Sequence, residues 1–150
     1  MKEILKNIQT KITEVQAVKY VDEDWGQLNL FPGDLPVQFP CVLFDIKDGQ
    51  FENIGADRRA TPKERQLGRF SLELCIAKMK LSNTSGKAPL SQKNNAWEIQ
   101  DIIQMVHEKL QGFSAGENCS KLIRKSYQRI RRDDGIQEYR VSYDFEVGNV

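Results

Sequence analysis

The chain has 150 residues, with 22 Lys and Arg against 21 Asp and Glu, for a formal net charge of +1. That length predicts one domain with room for a core and little for a second, and the near-zero balance argues against a dedicated nucleic-acid binder. Hydrophobic residues at 39% and charged residues at 29% exclude a disordered tail.

Lys2 to Gln16 reads as an amphipathic helix, because Ile4, Leu5, Ile8, Ile12 and Val15 recur at three- and four-residue spacing. The same stretch alternates charge with Ile and Leu and has no continuous apolar run, unlike a signal peptide. Val18 to Val21 is a short apolar strand. An acidic loop follows from Asp22 to Gln38, where Pro32 and Pro36, with Pro40 just beyond, exclude a helix. Leu28, Leu30, Phe31 and Leu35 make it apolar for a loop, and they are candidate subunit contacts.

Phe39 to Ile46 is a strand with two apolar faces, Val42, Phe44 and Ile46 on one and Cys41 and Leu43 on the other. Such a strand is central, or something covers its second face. Asp48-Gly49 reads as a turn, and Gln50 to Gly68 as a long, mobile polar excursion. Arg58, Arg59, Lys63 and Arg65 on that excursion are candidate partner contacts. Arg69 to Lys80 alternates clearly and is a strand; Leu81 to Ser91 is a loop.

Gln92 to Leu110 is a second helix with Ser91 as its N-cap, Gly112 as its stop and an apolar stripe of Ala96, Ile99, Ile102, Ile103, Val106 and Leu110. Lys121–Arg131 and Ile136–Val147 form a hairpin through Arg132-Asp133-Asp134-Gly135. On its last strand Tyr139, Val141, Tyr143, Phe145 and Val147 face in, and Glu138, Arg140, Ser142, Asp144 and Glu146 face out. Lys121, Arg124, Lys125, Arg129, Arg131 and Arg132 form a basic row. Two uses of the row stay open: pairing with Glu138, Asp144 and Glu146 across the hairpin, or meeting a partner chain or nucleic acid. The elements make an α+β fold, an antiparallel-rich, mixed sheet of four to five strands packed against two helices.

The search for chemistry yields little. Asn83-Thr84-Ser85-Gly86-Lys87 lacks the upstream Gly of a phosphate loop, and Ala88 stands where a magnesium-holding Ser or Thr belongs. Asp22, Glu23 and Asp24 begin like a calcium loop, but Gly26 comes one position early. His107 is the only histidine and sits at the border of a helical stripe, without the partners a triad needs. Cys41, Cys75 and Cys119 form no C-x-x-C pair and read as reduced thiols in a cytoplasmic protein. The expectation is a protein without catalysis, cofactor or metal. No run approaches the ~20 apolar residues of a membrane span.

The layout resembles a family. An amphipathic helix and short strand lead to Pro36-Val37-Gln38-Phe39-Pro40-Cys41-Val42-Leu43. A polar excursion leads to Gly68-Arg69-Phe70-Ser71-Leu72-Glu73-Leu74. A helix carries Ala96-Trp97-Glu98-Ile99 and Val106-His107-Glu108-Lys109-Leu110, and the chain closes on Tyr139-Arg140-Val141-Ser142-Tyr143-Asp144-Phe145-Glu146-Val147. Across nearly its whole length the chain is similar to the tail-terminator and neck-type minor tail proteins of long-tailed phages and prophages. The resemblance implies a small α+β subunit, cytoplasmic or in the virion tail, that forms a hexameric ring. That ring caps the tail tube and offers a surface to head-completion proteins, without a cofactor. On that reading the 50–68 excursion projects toward the tube, and Arg129, Arg131 and Arg132 make charge-row contacts. The alternative is a small bacterial binding or regulatory module that takes nucleic acid through the basic strand at 121–132.

Overall fold

The computed structural model describes residues 1–30, 33 and 36–150. In chain order the elements are α1 (Lys2–Thr13), β1 (Tyr20–Glu23), a short 3-10 helix (Gln27–Leu30), β2 (Cys41–Ala56), β3 (Glu64–Met79), α2 (Leu90–Leu110), β4 (Ile123–Ile130) and β5 (Ile136–Gly148). The strands form one five-stranded sheet in the order β1-β2-β3-β5-β4. β1 runs parallel to β2, and every other neighbour is antiparallel. The α+β expectation holds, with a mixed sheet and two helices.

Both helices lie on one face of the sheet. From α1 Ile4, Ile8 and Ile12, with Val15 just beyond it, enter the main core, and from α2 Ile99, Ile102, Ile103, Val106 and Leu110 do so. They meet Val42 and Phe44 of β2, Phe70, Leu72, Leu74 and Ile76 of β3, and the inward row of β5 from Tyr139 to Val147. The periodicities of ~3.6 and 2 read from the sequence therefore converge on one layer. α1 stops at Thr13 rather than Gln16. α2 starts at Leu90, two residues before the expected start, with Pro89 at the N-cap rather than Ser91.

The second face of β2 is covered not by a helix but by the connection from β1. That crossover lays Leu28 and Val37 against Cys41, Leu43, Cys75, Ala77 and Ile136, making a second, smaller core. Gln27 holds the bend: its side chain accepts from Trp25 N at 2.9 Å and donates to the Glu23 carbonyl at 3.0 Å.

The structure corrects the reading of 48–68. Asp48-Gly49 is not a turn; β2 runs through it with an irregularity between Ile46 and Asp48 and another between Asn53 and Gly55. The excursion is a β-hairpin, paired from Cys41↔Ala77 out to Ala56↔Glu64. Its end is pinned by Asp57 N donating to Lys63 O at 2.8 Å and by Asn149 Nδ2 donating to Thr61 O at 3.1 Å. Apolar alternation fails there because neither face has a layer above it, while backbone pairing needs no apolar side chains. At the hairpin's base the Phe70 ring lies across Gly49 and Gly68, stacked on Phe145 with centroids 5.6 Å apart.

Candidate assembly surfaces

The uncovered part of the sheet and its two edges carry the features that remain for function. β4 is one edge, exposed from Ile123 to Arg129. Its register places Arg124 opposite Tyr143 and Arg129 opposite Tyr139, so both point to the helix side. Tyr127 points the same way and donates to Gln100 of α2 at 2.9 Å. Among the described residues, no carboxylate lies within ion-pairing reach of Arg124, Lys125, Arg129 or Arg131. Of the cross-hairpin pairs open to this row, only Arg132 with Glu138, at 3.5 Å, forms among the described residues. Glu146 instead takes Arg69 of β3 at 2.9 Å.

Glu138 is not a solvent-facing partner either. It is 3% exposed, because the β1–β2 crossover covers that end of the sheet. Arg140 bridges Asp24 at 2.9 Å, Glu73 at 3.1 Å and Glu138 at 3.4 Å. Arg132 donates to the Leu28 carbonyl at 2.8 Å, pairs with Asp134 at 2.6 Å and approaches Glu138 at 3.5 Å. Its hydrogen bonds hold the Asp134 carboxyl below the usual aspartate value. This cluster fastens the crossover to the sheet. Sequence reasoning missed it, although Glu138 and Arg140 share one face of β5 beside an apolar loop that had to cover something.

The residues singled out from sequence therefore divide. Leu28 is a correction: it is 3% exposed and fills the second core instead of waiting for a neighbour. Leu30 is 49% exposed and remains available. Phe31 and Leu35 lie outside the described residues. Arg58, Arg59 and Lys63 are exposed around the hairpin end. Arg65 is turned onto its own hairpin, reaching the Gly55 and Ile54 carbonyls at 3.4 and 3.5 Å. Arg129 and Arg131 are exposed, whereas Arg132 is a correction, held within the buried cluster.

Beside the β4 edge, Asp48, Arg69, Ser71, Lys121, Lys125 and Asp144 border an open groove of about 420 Å³. The opposite edge is incomplete. β1 covers β2 only from Cys41 to Phe44, so the outer side of Asp45–Ala56 has no strand partner among the described residues. Phe51 and Ile54 on that stretch are 55% and 42% exposed.

Burial pushes Cys41 up to about 12 and raises Cys75 as well. His107 Nδ1 lies 3.1 Å from the Tyr143 hydroxyl, and burial, with Arg124 nearby, holds the imidazole below its usual value. Among the described residues no group of three or more His, Cys, Asp or Glu is placed to hold a metal ion. No helix among them is long and apolar enough to cross a membrane.

No protein-family model matches the chain, and no curated protein matches it in sequence. The fold is similar to that of a chain in the virion of a native gene transfer agent (GTA) particle. The superposition has a TM-score of 0.50 and 8% identity, and covers 97% of this chain and 91% of that one. At that identity the likeness is one of fold.

Proposed function

We propose that this protein is a structural subunit of a phage-like particle, a tail-terminator-like protein whose copies form a ring that caps a tail tube and joins it to a head. The observation that carries the reading is the fold likeness to a virion chain over nearly the full length of both molecules. The two sheet edges that lack a strand partner among the described residues support it, since a subunit with open edges at opposite sides is suited to a closed array of copies. On this reading the protein assembles and does not catalyse. Raised thiol pKa values and a histidine occupied by Tyr143 suit that role. Arg58, Arg59 and Lys63 at the end of the β2–β3 hairpin would meet the tube or a head-completion protein.

Light scattering tests the reading directly. A closed oligomer of defined mass is expected, with ring-shaped particles in negative-stain images; a chain that stays monomeric at every concentration overturns it.

A second reading rests on the exposed, unpaired bases of β4, which suit a phosphate backbone. It requires DNA retention at low salt that falls steeply as salt is added, and no retention at low salt excludes it.

A further inference from the structure

We infer that the β4 edge of one copy pairs antiparallel with the open outer edge of β2 in the next copy, so that the sheet continues from subunit to subunit. The inference rests on the ring reading for its supply of neighbouring copies, but its evidence is the two edges themselves.

Among the described residues, both edges have backbone without a strand partner. β4 offers residues 125–130, Gln111 already accepting from Arg124 N at 2.9 Å, and β2 offers residues 45–53 beyond the end of β1, Arg65 and Asn53 already taking the backbone of Ile54 and Gly55. Buried or paired, such groups are satisfied; left open, they template another strand. Their charges are opposite. β4 carries Arg124, Lys125 and Arg129 and no acid. The open part of β2 carries Asp45 and Asp48 against Lys47, with Glu52 already paired to Arg69 at 3.1 Å, and β1 beside it adds Asp22 and Glu23. Asp45 and Asp48 lie on the face away from the helices and Arg124 and Arg129 on the helix face, so the attraction acts between the edges as wholes and not as residue pairs. Two β4 edges would repel, as would two β2 edges, so the charges disfavour a two-fold dimer and favour head-to-tail contact. Each edge also exposes two large apolar side chains that pairing would cover: Ile123 and Tyr127 on β4, Phe51 and Ile54 on β2.

Direction agrees as well. β2, β3, β5 and β4 alternate in sense along the sheet, so β4 runs opposite to β2 within one subunit. Rotation about a ring axis preserves each strand's sense along that axis, and β4 of one copy therefore meets β2 of the next antiparallel. Head-to-tail contacts of this kind close into a ring when the rotation from copy to copy divides a full turn, and otherwise run on as a filament.

The test uses two charge-reversed forms of the full chain. One carries Arg124→Glu, Lys125→Glu and Arg129→Glu; the other carries Asp45→Lys and Asp48→Lys. Each alone is expected to self-associate at least about a hundredfold more weakly than wild type. Mixed one to one, they regain assembly, because the two reversed edges are again opposite in charge. Hydrogen exchange on the wild type needs no variant. Amides of residues 125–130 and 45–53 should gain protection in the assembled state relative to the dilute monomer.

An oligomer of unchanged mass in both reversed forms, with no added protection on either edge, overturns the edge pairing and leaves the ring reading standing. A wild type that is monomeric throughout overturns both. DNA retention lost on reversing β4, with no change in mass, assigns that edge to nucleic acid and overturns the pairing.

Discussion

At the scale of single residues, the main core's polar border is set by His107 and Tyr143. The imidazole packs over a tyrosine that is 1% exposed, and desolvation favours its neutral form. A histidine whose folded pKa is lowered contributes stability above the unfolded value near ~6.5, and that contribution is lost as pH falls. Because His107 is the only histidine, its imidazole proton resonance is unambiguous. Its NMR titration should give a midpoint below that of an unfolded control, and His107→Gln should flatten the stability loss between neutral and mildly acid pH.

Gly49 and Gly68 make a second residue-scale case. A Cβ at either would fall 2.7 or 2.6 Å from the Phe70 ring, which is wedged against Phe51 and Phe145. Gly68→Ala should therefore destabilise by about 1–3 kcal/mol in denaturant unfolding, and the same change at Gly86, with open space around it, should cost less than half of that.

At the scale of elements, the β1–β2 crossover is the unusual part. It stands in place of an α-helix as the cover of the second sheet face, and both apolar contact and ion pairs hold it. Arg140→Met removes the bridge to Asp24 and Glu73 and strips Glu138 of one cation, leaving only Arg132 at 3.5 Å. Thermal or urea unfolding should show a loss of roughly 3 kcal/mol, and adding Glu138→Leu should recover much of it, since the uncompensated buried carboxylate is then gone. The same cover shields Cys41 and Cys75, each 0% exposed, while Cys119 is half-buried. A thiol reagent should label Cys119 in the folded protein, and the other two only after unfolding or after the Arg140→Met change loosens the crossover.

At the scale of the whole molecule, the small net charge conceals a polarity across the sheet, basic at β4 and acidic along β1 and the open part of β2. A molecule charged this way has low net repulsion between copies and a preferred way to meet them. Self-association should therefore weaken as salt rises from low to high, read as falling mass in light scattering at constant protein concentration. An assembly held by apolar contacts alone would hold or tighten under the same change.

How much of this was legible beforehand follows from which interactions are local. Both helices, the alternating part of β3 and the β4–β5 hairpin announce themselves, because apolar period and the Asp-Gly turn are properties of neighbouring residues. Gly135 takes the positive φ of 81° that the turn needs. The two-faced character of Cys41–Phe44 also required a second cover. The outer β2–β3 hairpin was hidden, since a strand pair with no layer above it has no apolar alternation to show. Leu28, Arg132 and Glu138 were read as surface residues, because inward or outward depended on where a loop a hundred residues away would land. The sequence by itself determined the periodic elements and the charge blocks. Only the tertiary structure decided which charges are spent inside the molecule and which edges stay open, because burial and strand pairing are settled by contacts between segments far apart in the chain.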